Sequence, residues 1–192
     1  MDIKDLFIVF STLLILAAPT PYIRNVIKRA TKPKVVSWFN WTWLTIISAS
    51  ASLSDRQYAA AIMSYSLALM CVTIAMLGWR NGDKRFDRLD IFCQMGIVIA
   101  LVLWWTFNSP AIAIISVIVI DFIALVPTLK HSWEKPHEET GQLFIMTGIG
   151  ALFATLAART VSITALANPI YIAIADLITA AVIIGRRKVL KK

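Results

Sequence analysis

Seven apolar runs alternate with short polar breaks along the chain: Leu6–Ile23, Val35–Leu53, Tyr58–Gly78, Leu89–Phe107, Ala111–Leu129, Gln142–Ala158 and Ile163–Gly185. A helix that crosses a bilayer needs roughly 20 predominantly apolar residues, within a range of about 17–25, and every run fits. The breaks are the basic stretch Arg24–Lys34, Ser54-Asp55-Arg56, Arg80–Arg88, Asn108-Ser109-Pro110, Lys130–Thr140 and a turn near Arg159-Thr160. The last is the least marked, because the residues from Thr160 to Asn168 are still fairly apolar. The pattern predicts an all-α membrane protein with seven transmembrane helices.

Composition agrees. Of 192 residues, 58% are hydrophobic and 16% charged, against roughly half and about a quarter in soluble domains. Cys71 and Cys93 both fall inside apolar runs, so they read as small core residues and not as a disulfide framework. The net charge of +8 changes meaning once its positions are marked. Sixteen Lys and Arg lie in the first, third and fifth connections and the C-terminal tail, against Lys4, Arg56 and Arg159 on the other side. Short cytoplasmic loops carry the Lys/Arg excess. The chain is therefore expected in the cytoplasmic membrane, N-terminus outside and C-terminus inside, with its basic face on anionic lipid headgroups. Nucleic acid is set aside as a partner. A cleaved signal peptide over Met1–Ala18 is not expected, since Asp2 and Asp5 offset Lys4.

The runs also repeat. Pro21-Tyr22-Ile23-Arg24 closes the first span and Pro127-Thr128-Leu129-Lys130 the fifth, with Pro33 and Pro136 downstream. Gly78-Trp79-Arg80 follows the third span and Gly185-Arg186-Arg187 the seventh. Spans one to three thus match spans five to seven, and the fourth inverts the chain so that both triplets start from the same side. This predicts two parallel three-helix bundles joined by a linker helix, with residues 1–82 as the first repeat, 83–109 as the linker and 110–192 as the second repeat. Parallel repeats are a transporter device, with the solute site near the midplane between them.

This 3+1+3 plan resembles the PQ-loop superfamily, including the SWEET sugar transporters. Pro19–Trp43 is similar to a PQ-loop: a proline closing one helix, a basic loop, then Ser37-Trp38 opening the next. Ile172–Thr179 resembles the SWEET segment that carries a substrate-binding asparagine, and Asp176 holds that place here. The chain departs from the pattern in having Tyr22 and Thr128 where the glutamine of the PQ pair belongs, and in lacking the SWEET prolines of spans two and six. The resemblance implies alternating access between two halves. It does not carry over a substrate class, and nicotinamide-riboside transporters share the same plan.

Two acids fall deep in predicted spans. Asp121 stands six residues before Pro127 and Asp176 nine before Gly185, which at ~1.5 Å per residue is roughly 13 Å below that end. A charge at the centre of a membrane helix costs about 2.5–3.5 kcal/mol on insertion scales, so it marks a functional site by default. The repeat places Ile15 and Leu69 at the equivalent positions, so both acids belong to one half alone. They are expected to line the route for a proton, a cation or a solute hydroxyl or amine. The plain structural alternative is a carboxyl hydrogen-bonded to a neighbouring helix.

Asn168, Tyr171, Asn40 and Trp41 complete the candidate pathway, Trp41 as a stacking surface for a ring. Trp38 and Phe39 read as an interfacial aromatic belt. Trp38, Trp41, Thr45, Ser48 and Ser52 share a face of span two, and Gly148, Ala151 and Thr155 one of span six; such small and hydroxylated residues allow close helix approach. Pro19, Pro21, Pro127 and Pro169 are candidate hinges. The connection from His131 to Glu139 holds two His and three Glu at a spacing that fits no defined metal site. There is no nucleophile motif, Walker loop or Rossmann fingerprint, and no lysine in span seven for a Schiff base. The expectation is a non-enzymatic transporter of a small neutral or cationic solute (sugar, amino acid or nucleoside), compatible with proton coupling, needing no cofactor, with self-association left open. A non-transporting receptor of the same architecture, or a cation channel, is the alternative.

Overall fold

The computed structural model describes residues 2–29, 33–82, 84, 88–137 and 139–190, with the backbone alone at Asn81, Pro127 and His131. Most of them fall in eight helices: α1 Ile3–Ala17, α2 Thr20–Ile27, α3 Val35–Ser54, α4 Tyr58–Asn81, α5 Arg88–Phe107, α6 Pro110–Glu134, α7 Gly141–Ala157 and α8 Ile163–Leu190. No strand occurs among the described residues.

Each predicted span coincides with a helix, but the ends differ for physical reasons. The first span is two helices. Neither Pro19 nor Pro21 has an N–H to continue the ladder, and the regular helix is interrupted by a turn at Ala18-Pro19 before α2 starts. Conversely, α6 runs through Pro127 to Glu134, so Pro127 does not close its helix; its side chain lies outside the described residues. A proline inside a membrane helix forfeits one backbone bond, which neighbouring helices tolerate. Nor does Gly185 end α8, which continues to Leu190.

Five stretches are long and apolar enough to cross a membrane: Ile3–Ile27, Tyr58–Arg80, Arg88–Phe107, Pro110–Glu134 and Ile163–Leu190. These mark an integral membrane protein. The apolar α7 is shorter, at 17 residues. α3 has 20 residues, but Ser37, Asn40, Thr42, Thr45, Ser48, Ser50 and Ser52 dilute its apolar character. Large side chains point outward, as bilayer exposure requires: Ile91, Phe92, Met95, Val98, Ile99 and Val102 cover one side of α5, and Trp105 is 86% exposed.

Packing arranges six of the elements in a ring. α4 lies between α1 and α3, and α8 lies between α6 and α7. The ring closes where α1 packs on α7 and α3 on α6, while α4 and α8 touch across the middle. α5 stands outside, against α6 and α3. One core cluster joins Ile15, Tyr22, Trp38, Met63, Cys71 and Ala151 from both sides of the ring. A second joins Leu44 and Ile47 of α3 to Ile97 of α5 and Ile114 and Val117 of α6.

Close approach at the α1–α7 seam depends on Gly150. A Cβ there would meet Ile15 Cγ1 at 2.7 Å and the Ser11 backbone oxygen at 3.2 Å. Small residues serve this purpose in membrane helices, which agrees with the packing role expected for span six. Gly148 does the same against Leu177, at 2.9 Å. Gly150→Val is expected to cost about 1–3 kcal/mol through overpacking, lowering the unfolding midpoint in detergent by several degrees. A midpoint equal to wild type would show that the seam is looser than these distances imply.

The polar residues gather at two ends. One end collects Asp2, Lys4 and Asp5, the α3–α4 turn and the α7–α8 turn, linked by direct contacts. The other collects most of the basic residues. There Lys34 pairs with Asp90 at 2.8 Å, Arg186 Nε donates to the Trp133 carbonyl at 3.0 Å and Arg187 Nε to that of Pro136 at 2.9 Å. Arg186 also covers the Trp133 ring, 4.4 Å from its centroid.

Candidate functional site

The candidate site is organised by α8, the helix flanked by both of its bundle partners. Successive residues of an α-helix turn by about 100°, a consequence of 3.6 residues per turn. Tyr171 therefore leans to one side, Asp176 to the other, and Asn168 points between them. The contacts follow that geometry. Tyr171 Oη donates to Asp121 Oδ2 of α6 at 2.5 Å. Thr147 Oγ1 of α7 donates to Asp176 Oδ2. Asn168 Nδ2 donates to Ser64 Oγ of α4 at 3.1 Å, and Ser64 stands 3.5 Å from Ser48 of α3, long for a hydroxyl pair. One helix thus contacts α4, α6 and α7 through polar side chains at successive levels.

Both acids sit far from any helix end, Asp121 eleven residues into α6 and Asp176 thirteen into α8. They lie within electrostatic reach of each other and of Cys71 on α4. Among the described residues neither has a Lys or Arg partner. Each is intermediate in exposure among its packed neighbours. An ionised carboxylate offers about four acceptor positions, and one hydroxyl donor fills only one. The arrangement can hold a proton or a small donor-rich or cationic group, and each acid also ties two helices together.

The other expected residues fall elsewhere in the ring. Asn40 is buried on α3, with its Oδ1 lacking a hydrogen-bond partner. Trp41 packs against both core clusters and meets Trp38 edge-on at 5.1 Å. The belt expectation divides. Trp38 is buried against Tyr22 at 5.4 Å, which removes it from an interfacial position, while Phe39 is exposed and meets Trp43 at 6.2 Å. Among the hinge candidates, Pro19 and Pro21 flank the start of α2 and Pro169 lies buried inside α8.

The sequence reading passed over Thr147 and Ser64, the donor and acceptor that meet Asp176 and Asn168. Their signal was a hydroxyl in an apolar run, which is common and therefore weak. It also passed over Asp90, a buried acid one residue inside the fourth apolar run. A shallow pocket between Ile8, Gln57, Tyr58, Ala157, Arg159 and Ala165 lies at the sparsely charged end and touches neither Asp121 nor Asp176. Comparison with protein-family models, curated proteins and solved structures returned no match.

Proposed function

We propose that the chain is a membrane transporter that moves a small neutral or cationic solute by alternating access, with Asp121 and Asp176 on the central route. The observation that carries this reading is the pair of mid-helix acids, uncompensated by any described cation, on helices that meet at α8. Intramembrane acids of this kind mark ion and solute pathways.

The proposed architecture is two parallel three-helix halves, α1–α4 and α6–α8, joined by α5 as an inverting linker. Support comes from the packing order: in each half the last helix lies between the other two, and the first helix of each half packs on the middle one of the other. A rotation exchanging α1 with α6, α3 with α7 and α4 with α8 maps these contacts onto themselves. That order, with the charge placement, supports the PQ-loop and SWEET-like resemblance and an N-out, C-in topology in the cytoplasmic membrane. The basic end would then lie on anionic lipid.

A second reading, a non-transporting receptor or scaffold of the same fold, is favoured by one observation: both acids are already engaged by hydroxyls of neighbouring helices. Uptake into proteoliposomes separates the two. Sugars, amino acids and nucleosides are offered with and without an inward proton gradient. The transport reading expects saturable uptake of at least one class, and coupling expects the gradient to raise it. No flux above protein-free vesicles for any class would defeat it, and unitary currents would indicate a channel.

A further inference from the structure

The α7–α8 turn is tied at one end of the ring to two separate elements. On one side, Arg159 Nη1 meets Asp2 at 3.1 Å and Nη2 meets Asp5 at 2.7 Å, and Lys4 Nζ donates to the Ala158 carbonyl at 2.6 Å. On the other side, Thr160 Oγ1 donates to Gln57 Oε1 at 2.7 Å, Thr164 Oγ1 to Asp55, and Ser52 Oγ to the Thr164 carbonyl at 3.1 Å. Every one of these contacts joins the α6–α8 group to the α1–α4 group. At the basic end, Arg186 bonds to Trp133 in the last turn of α6 and Arg187 to Pro136 in the connection that follows, both within the α6–α8 group.

The outer ties, from Arg159 and Thr160, suit a device that opens, while the Ser52–Thr164 bond beneath them is buried. Arg159, Asp2 and Asp5 are each about half exposed in their side chains. Exposed ion pairs are individually weak, and water replaces their partners readily. Within each group the last helix packs on the other two, so the ties can break without unfolding either; the α1–α7 and α3–α6 seams also join the groups, and opening has to loosen the first of them at this end. Residues 158–162 are non-helical and connect α7 to α8 as a short strap.

We infer that the α7–α8 turn is the gate of the sparsely charged end, held shut in this structure by Arg159 on Asp2 and Asp5 and by Thr160 and Thr164 on the α3–α4 turn. This rests on the transport reading for its purpose, though not for its test. Opening would part the α7–α8 turn from the N-terminus of α1 and admit solute toward Asp121 and Asp176.

Cys71 reports on it. It is buried on α4 and lies within electrostatic reach of both acids. With Cys93→Ala as background, it is the chain's one thiol. The full-length protein in sealed vesicles is treated with a membrane-impermeant maleimide from the side of the N-terminus. Arg159→Gln is expected to raise the labelling rate about three- to tenfold, the range of losing two exposed ion pairs. Exchanging the charges, Arg159→Asp with Asp5→Arg, is expected to return it toward wild type. Gln57→Ala with Thr160→Ala, a milder change on the other tie, is expected to raise it in the same direction. An unchanged rate in both opened variants overturns the gate, even where uptake is active. Labelling that follows the ion pair while no solute is taken up keeps the gate and defeats transport.

Discussion

Asp176→Asn is expected to cut uptake severely at sub-saturating solute while leaving the fold intact. Asparagine keeps the shape and an acceptor for the Thr147 hydroxyl. What it loses is the charge and the titratable proton. If the acid serves only to join α7 to α8, Asn preserves the joint and uptake is unchanged. If the acid binds the solute or its coupling proton, an interaction with a charged group worth about 1.5–3 kcal/mol disappears. That corresponds to roughly a 10- to 150-fold loss of affinity. The complementary change, Thr147→Val, leaves the acid and removes its donor. It is expected to lower the unfolding midpoint modestly, by the ~1 kcal/mol of a hydrogen bond, and to spare part of the uptake. The pattern that would sink the assignment is the reverse: a stable, fully active Asp176→Asn beside an inactive Thr147→Val. Asp121→Asn, with Tyr171 as its donor, makes an independent second case.

Asp90→Leu is expected to destabilise the protein about as much as Gly150→Val, through charge and not through packing. Asp90 is 3% exposed at the start of α5, with the Lys34 ammonium 2.8 Å away. Removing one partner of a buried pair costs about 3–5 kcal/mol, because the other charge stays behind. Lys34 keeps a third of its side chain in solvent, so water compensates in part and about 1–3 kcal/mol is expected. Among the described residues α5 packs mainly on α6 and α3, leaving little to absorb the loss. The readout is the unfolding midpoint and the folded yield in detergent, with uptake per folded molecule unchanged. A midpoint equal to wild type would show that the pair contributes nothing to holding α5.

How far the chain could be read without coordinates depended on the range of each interaction. The helices were legible because each polar break, such as Ser54-Asp55-Arg56, is local in sequence and sharp in chemistry. The ends were less so. Pro127 and Gly185 suggest termini in water, yet neighbours in a membrane bundle hold a helix together past such residues. Asp121 and Asp176 stood out because a carboxyl amid leucines and isoleucines is rare. Their pairings did not: Tyr171 is a candidate from sequence but lies 50 residues from Asp121, and Thr147, 29 residues from Asp176, carries only a lone hydroxyl that says nothing of what it faces. Trp38 was misplaced for the same reason. A tryptophan near a helix end suits an interface, and only the packing of α2 brought Tyr22 over it.

The position of α5 outside the ring has a consequence for how the protein is made. On the proposed topology this helix contributes direction more than substance. Without residues 88–107, α6 would re-enter the bilayer from the wrong side, and the arginines and lysines of the second half would be left outside. The seams of α1 with α7 and of α3 with α6 would then bring together helices running in opposite senses to those seen here. Correct assembly would be decided as α5 emerges from the ribosome, before most of the contacts that stabilise the finished ring exist.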